Sequence, residues 1–226
     1  MKKINDLKKL FNKSDFLDHA LTHKSWVNEN PNKRTSNERL EFLGDAILEF
    51  VVSQEIFKKF PNQEEGYLTA LRSNLVNTQN LAKVAEKMGI GISLYLSKGE
   101  EEGGGRENPS LLADTVEAII GALYLDQGLN TVKKFIIQNI FADLAEKTKM
   151  PLKDAKSRLQ EYVQSQGYPA PNYNVIKEFG PDHLKEFTVE VIINKKSIAI
   201  GFGKSKSEAE QEAAYKALAS FNPPSR

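Results

Sequence analysis

The chain has no cysteine in 226 residues, which excludes disulfides, thiolate-ligated zinc and a thiol nucleophile. Histidine is scarce too, with three in all. His19 and His23 stand four apart, and a capping or packing role is expected of them in place of a metal site. No apolar run approaches the roughly 18 residues that a membrane helix needs. The leading stretch MKKINDLKKLFNKSD lacks an apolar segment followed by a small-residue cleavage site. No membrane association and no export are therefore expected, and the expected location is cytoplasmic. Net charge is nearly absent, since 31 Lys and Arg face 30 Asp and Glu and leave only +1. Composition alone does not announce a nucleic-acid binder, so any polyanion site must come from local clustering.

What the chain does have is a pattern of carboxylates on greasy helices. In Asn37 to Val52, NERLEFLGDAILEFVV, the acids Glu38, Glu41 and Asp45 are spaced three and then four apart. Helical periodicity stacks all three on one face, where like charges repel. The other residues of the stretch are mostly apolar, so the helix is expected inside a domain with little of its circumference facing water. A buried unpaired carboxylate is costly or becomes neutral, and a bound cation resolves both problems. An oxygen-only ligand set suits Mg²⁺ or Mn²⁺ better than zinc.

The competing reading is an ordinary solvated stripe on an amphipathic helix, the usual fate of Asp and Glu. Three features weigh against it. Gly44 sits mid-helix, where glycine costs about 1 kcal/mol relative to alanine and suggests the close approach of another backbone. Arg39 is a single cation among three anions. The pattern also recurs in Leu111 to Leu125, LLADTVEAIIGALYL, where Asp114, Glu117 and Gly121 follow one face. Two such helices packed closely could pool Glu41, Asp45, Asp114 and Glu117 into one oxygen cage.

The remaining periodicities predict short helices over 3–26, a polar loop over 28–36, and Thr35, Ser36 or Asn37 capping the helix behind it. Further helices are expected over 67–76, 78–88 and 129–148, with the glycine-rich stretch 99–110 a mobile loop bordering the acidic site. Lys149-Met150-Pro151 reads as a connector. Beyond it comes a helix over 154–166, three strands over 173–179, 187–193 and 197–202, and a closing helix over 205–220. That α-β-β-β-α order in about seventy residues fits one small module.

The stretches ALTHKSWVNE, NERLEFLGDAILEFVV, EEGYLTALRSNLV and KGEEEGGGRENPSLLADTVEAIIGALYLD, together with the αβββα tail, resemble bacterial ribonuclease III across residues 4–220. The resemblance implies a multidomain α and α+β chain. Residues 1–150 would be an all-α, dimerising endonuclease domain, and 151–226 a double-stranded RNA-binding domain. It implies a homodimeric, Mg²⁺-dependent endoribonuclease, with Mn²⁺ able to substitute and no small-molecule cofactor beyond the metal. Such an enzyme cuts double-stranded RNA to 5′-phosphate and 3′-hydroxyl ends, and processing of ribosomal RNA precursors and other RNAs is expected.

Carried over by position, Glu41, Asp45, Asp114 and Glu117 are the implied metal ligands, and Asp45, Glu117, Glu38 and Glu65 the implied catalytic residues. Glu38 is implied near the site and the subunit interface, and Glu65 near the neighbouring subunit's site. In the tail, Gln160 and Gln164 match minor-groove contacts, and His183 matches a loop residue entering the next minor groove. Lys204 and Lys206 match a phosphate clamp at the start of the last helix. Ser207 stands where the family carries a second adjacent lysine, so weaker and less salt-sensitive binding is expected.

Two rivals stay open on the residues alone. An all-α nucleotide pyrophosphohydrolase also places acid pairs around Mg²⁺, though it has no use for the tail. A non-catalytic double-stranded RNA-binding protein would keep the fold, though it would not need four acids at the four ligand positions.

Overall fold

The computed structural model describes residues 2–148, 152, 154–181 and 185–221. Its contacts divide the chain into two compact units, Met1–Leu152 and Lys153–Arg226.

The first unit is helical: α1 (Lys2–Lys8), α2 (Ser14–Ala20), α3 (Lys24–Glu29), α4 (Glu38–Lys59), α5 (Glu65–Val76), α6 (Thr78–Met88), α7 (Lys98–Glu102), α8 (Pro109–Gln127), α9 (Leu129–Asn139) and α10 (Leu144–Lys147). The boundaries follow local chemistry. The Asn77 side chain accepts from the Asn80 N–H to start α6, and Gly89, at φ 70°, ends it. Asn108 caps α8 ahead of Pro109, and Gly128 closes it.

α8 is the centre of this unit. Leu112, Val116, Ile119, Ile120 and Leu123 are fully buried, each stabilising the fold by about 1.5–3 kcal/mol over exposure. α4 is its main partner, through Leu40, Ile47, Leu48, Val51, Val52 and Ile56. Gly44 and Gly121 meet at the crossing. A Cβ on Gly44 would lie 2.5 Å from the Glu117 carbonyl carbon and 3.0 Å from the Gly121 nitrogen. A Cβ on Gly121 would lie 3.1 Å from the Leu40 carbonyl carbon. The two backbones touch where each helix has no side chain, so the mid-helix glycines are there for packing.

The sequence expectations need four corrections here. α4 is not enclosed: Phe42, Phe50 and Phe57 are 81%, 53% and 71% exposed and line an outward apolar stripe. Asn37 sits at the helix start but makes no side-chain cap; it is buried, and its amide donates to the Ala20 carbonyl at 3.1 Å. The glycine-rich stretch is ordered into α7 and a 3-10 turn, Gly105–Glu107. Arg106 fastens it, donating to the carbonyls of Gly91, Ile92 and Leu94 at 2.9–3.1 Å and pairing with Glu101 at 2.8 Å. The helix expected over 129–148 breaks after Asn139 and resumes as α10.

The second unit contains α11 (Ala155–Ser165), β1 (Asn172–Phe179), β2 (Glu186–Ile193), β3 (Lys196–Gly203) and α12 (Lys206–Phe221). The strands form one antiparallel sheet in the order β1-β2-β3. Asn194 and Lys195, at φ 48° and 64°, make the tight β2–β3 turn, whose twist matches the strands. The alternation in FTVEVII buries Val189, Val191 and Ile193, the last two in one cluster with Leu159, Val163 and the alanine face of α12. Gly201 and Gly203 let α12 lie directly on β3.

β3 is an edge strand, and α12 covers its free backbone groups. Glu208 accepts from the Lys204 N–H at 2.8 Å, Glu212 accepts from the Phe202 N–H, and Lys216 donates to the Ile200 carbonyl at 3.1 Å. Side chains four apart on the helix match backbone groups two apart on the strand, because about 6.0 Å of helix rise nearly equals about 6.6 Å of strand. An edge satisfied this way does not recruit another strand.

Candidate active site

The glycine crossing fixes where the acids go. Glu41 lies one turn before Gly44 on α4, and Asp114 and Glu117 lie two turns and one turn before Gly121 on α8. One carboxylate oxygen from each of Glu41, Asp114 and Glu117 falls within 4.8 Å of the others. Asp45 is exposed one turn further along α4 and lies outside that three-oxygen group. It is still close enough for its charge to push up the carboxyls of both Glu41 and Glu117.

The electrostatics are those of crowded anions that His23 and Lys24 offset only in part. Burial, then the charges of Asp45, Asp114, Glu41 and Glu49, raise the Glu117 carboxyl to about 8. Burial first, then Asp114 and Glu38, raise Glu41, and burial raises Asp114. The group lacks nitrogen and sulfur donors, so its chemistry fits a hard divalent cation.

The linkage has a definite sign. Glu117 titrates near 4.5 when unconstrained and near 8 in the fold, so the metal-free protein loses stability as pH rises between those values. A bound cation removes that loss. In chelator the melting temperature should fall from pH 6 to pH 8.5, and Mg²⁺ should restore more of it at the higher pH. A flat chelated profile, or equal Mg²⁺ shifts at both pH values, would count against this.

The other sequence candidates are placed as follows. Glu38 is exposed, accepting from the Ser36 hydroxyl at 3.0 Å and Lys24 at 3.3 Å, and those bonds hold its carboxyl below the usual range. Glu65 is the exposed first residue of α5, bonded at 2.9 Å to Thr69, and is not brought to the three-oxygen group. Gln160 and Gln164 are exposed one turn apart on α11. Lys204 and Ser207 are exposed at the start of α12, and Lys206 reaches Glu178 at 3.1 Å while lying 5.6 Å over the Phe187 ring. His183 lies outside the described residues.

His19 and His23 take the capping and packing roles expected of them. His23 Nδ1 accepts from the Ser25 N–H at the start of α3, and His19 Nε2 meets the Ser36 carbonyl at 2.9 Å. Sequence reasoning missed that His23 and Lys24 lie near enough to Asp114 for their charges to act on it. No spacing rule could have found them, since they come from a different helix far upstream. It also missed Arg72, whose Nε lies 3.0 Å from Glu49.

Comparison with known proteins agrees with both units. Residues 13–144 match the family model described as ribonuclease-III-like, and 155–220 match the double-stranded RNA binding motif. The chain is 49% identical over 209 residues to a ribonuclease 3 of Geobacillus sp. (strain WCH70), covering 92% of this chain and 85% of that one. The chain belongs to the ribonuclease III family. A ribonuclease 3 of Bacillus cereus (strain G9842) is 47% identical over the same shares of the two chains. A solved ribonuclease III nuclease domain from Campylobacter jejuni is 42% identical, covers 63% of this chain and 99% of its own, and superposes with a TM-score of 0.57.

Membership in the ribonuclease III family, with the RNA-binding motif behind the nuclease unit, makes the chain an endoribonuclease of double-stranded RNA. The family uses a divalent metal, and the Glu41, Asp114 and Glu117 group is where the described residues could hold one. Among the described residues no helix is long and apolar enough to cross a membrane.

Proposed function

We propose that the chain hydrolyses double-stranded RNA with Mg²⁺, or Mn²⁺ in its place, held by Glu41, Asp45, Asp114 and Glu117, leaving 5′-phosphate and 3′-hydroxyl ends. The observation carrying this is the meeting of three carboxylate oxygens within 4.8 Å at a two-helix crossing. Bound there, the ion would acidify an attacking water and stabilise charge on the phosphate. The four carboxylates supply the negative charge that holds it. No side chain serves as covalent nucleophile. Glu38 is proposed to act beside the cage, and Glu65, which does not join the three-oxygen group of its own chain, to serve the partner subunit's site.

The proposed division is a nuclease domain over 1–150 and an RNA-binding domain over 151–226. In the latter, Gln160 and Gln164 are proposed to meet 2′-hydroxyls in the minor groove, and Lys204 and Lys206 to meet phosphates. Lys206 already shares Glu178, which, with Ser207, supports a weaker clamp. His183 is proposed for the second minor groove. The working location is the cytoplasm, with ribosomal RNA precursors among the substrates.

The exposed stripe Phe42, Phe50 and Phe57 supports a homodimer built on α4, since a monomer would leave those rings in water. The Campylobacter jejuni relative is described by a region involved in dimer formation of its nuclease domain. Phe42→Asp should shift the protein from dimer to monomer in sedimentation and lower duplex cleavage by about tenfold or more. A variant that stayed dimeric at micromolar concentration would remove the stripe from the interface.

The test of the activity is cleavage of an end-labelled RNA duplex of a few dozen base pairs with Mg²⁺, with Ca²⁺ and with chelator. Single-stranded RNA and a DNA duplex serve as controls. Cutting of the RNA duplex alone, and with Mg²⁺ alone, supports the reading. Binding in every condition with cutting in none overturns it in favour of a non-catalytic binder.

A further inference from the structure

Glu41, Asp45 and Glu49 follow one another at four-residue intervals along α4, so the acidic stripe runs one turn past the proposed cage. The third carboxylate is treated differently from the first two. Glu49 Oε2 lies 3.0 Å from Arg72 Nε, and the same guanidinium donates to the Ser53 hydroxyl at 3.1 Å. Arg72 comes from α5, two turns beyond Glu65, and thus straddles Glu49 and Ser53 on α4. Both members of the pair are more than a third exposed, so the pair adds little to stability.

Its charge matters more than its strength. A divalent cation responds to every nearby fixed charge at twice the energy of a monovalent one. We infer that Arg72 is a positioning residue that holds and neutralises Glu49, the third carboxylate of the stripe, and so sets how tightly the adjoining cage binds its divalent cation. The Glu49 charge reaches Glu117 in the cage, which is the path such tuning requires. Without Arg72, Glu49 is a free anion at the cage rim and the ion is held more tightly. Without Glu49, Arg72 is an unbalanced cation there and the ion is held more weakly. The inference rests on the cage reading given under Proposed function.

The experiment is a Mg²⁺ titration of the full chain without RNA, followed by melting temperature. The wild type should show a saturable rise that Glu117→Gln abolishes. Relative to it, Glu49→Gln should raise the half-saturating Mg²⁺ concentration by about threefold to tenfold, and Arg72→Gln should lower it by a similar factor. Glu49→Gln combined with Arg72→Gln should return within about twofold of wild type, and so should Arg72→Lys, which keeps the charge. Added KCl should shrink the single-variant shifts. A merely structural tie would lower the starting melting temperature of both single variants and leave the midpoint unmoved. Midpoints that stay put, or move in the same direction in the two single variants, overturn the tuning role while leaving the cage in place. A wild type with no Mg²⁺-dependent rise overturns the cage reading and this inference with it.

Discussion

Glu117→Gln is expected to lower cleavage of an RNA duplex by about a thousandfold or more, equivalent to about 4 kcal/mol of lost transition-state stabilisation. Duplex affinity should stay within about twofold, because the change is confined to the nuclease unit. The substitution keeps the volume of the side chain and removes only its charge. Glu117 sits where the charges of Asp45, Asp114, Glu41 and Glu49 converge, which is why its carboxyl is raised to about 8. It is therefore the group whose ionisation depends most on a cation being present. The same substitution should raise the melting temperature of the chelated protein at pH 8.5, since it relieves the repulsion that the cation otherwise offsets. Lost catalysis with a higher chelated melting temperature separates a ligand from a residue that merely supports the fold. Retained cleavage, or lost binding, would remove Glu117 from the ligand set.

Much of this site was legible in the sequence because its chemistry is local to two helices. Acids at three- and four-residue intervals must share a face, and glycines on the same faces implied the close crossing that brings the faces together. What stayed hidden depends on other elements. The outward stripe of Phe42, Phe50 and Phe57 could not be told from core, because a greasy helix reads the same whether its second face meets the same chain or another surface. The glycine-rich stretch read as mobile because glycine removes local restraint. Arg106, within the stretch, supplies that restraint by binding three carbonyls that lie outside it, on Gly91, Ile92 and Leu94. Asn37 was one of three possible caps with Thr35 and Ser36, and its amide is taken instead by the Ala20 carbonyl, a tertiary competitor that no local propensity contains. Arg72 was likewise invisible, since its partner Glu49 belongs to another helix.

Gly44→Ala should be the most damaging single methyl in the nuclease unit. The new carbon would overlap the Glu117 carbonyl and lie 3.0 Å from the Gly121 nitrogen, so what it meets is backbone, which cannot rotate away. Overpacking a core costs about 1–3 kcal/mol where side chains can yield, and here the upper end or more is expected. For a unit of this size that is a fall in melting temperature of about 6–12 °C. Intrinsic propensity works in the opposite direction, because alanine is the better helix former by about 1 kcal/mol. Gly99→Ala measures that opposing effect alone, since Gly99 lies in α7 with open space around its missing Cβ. It should be neutral or slightly stabilising. The surviving folded fraction of Gly44→Ala should also need more Mg²⁺ for its thermal shift. Spreading α4 from α8 separates Glu41 from Asp114 and Glu117, so one crossing sets both the stability of the fold and the spacing of its charges. A Gly44→Ala protein that melted with the wild type and kept its Mg²⁺ midpoint would show that the helices can part without cost, and the cage would then have to be held by something other than the two glycines.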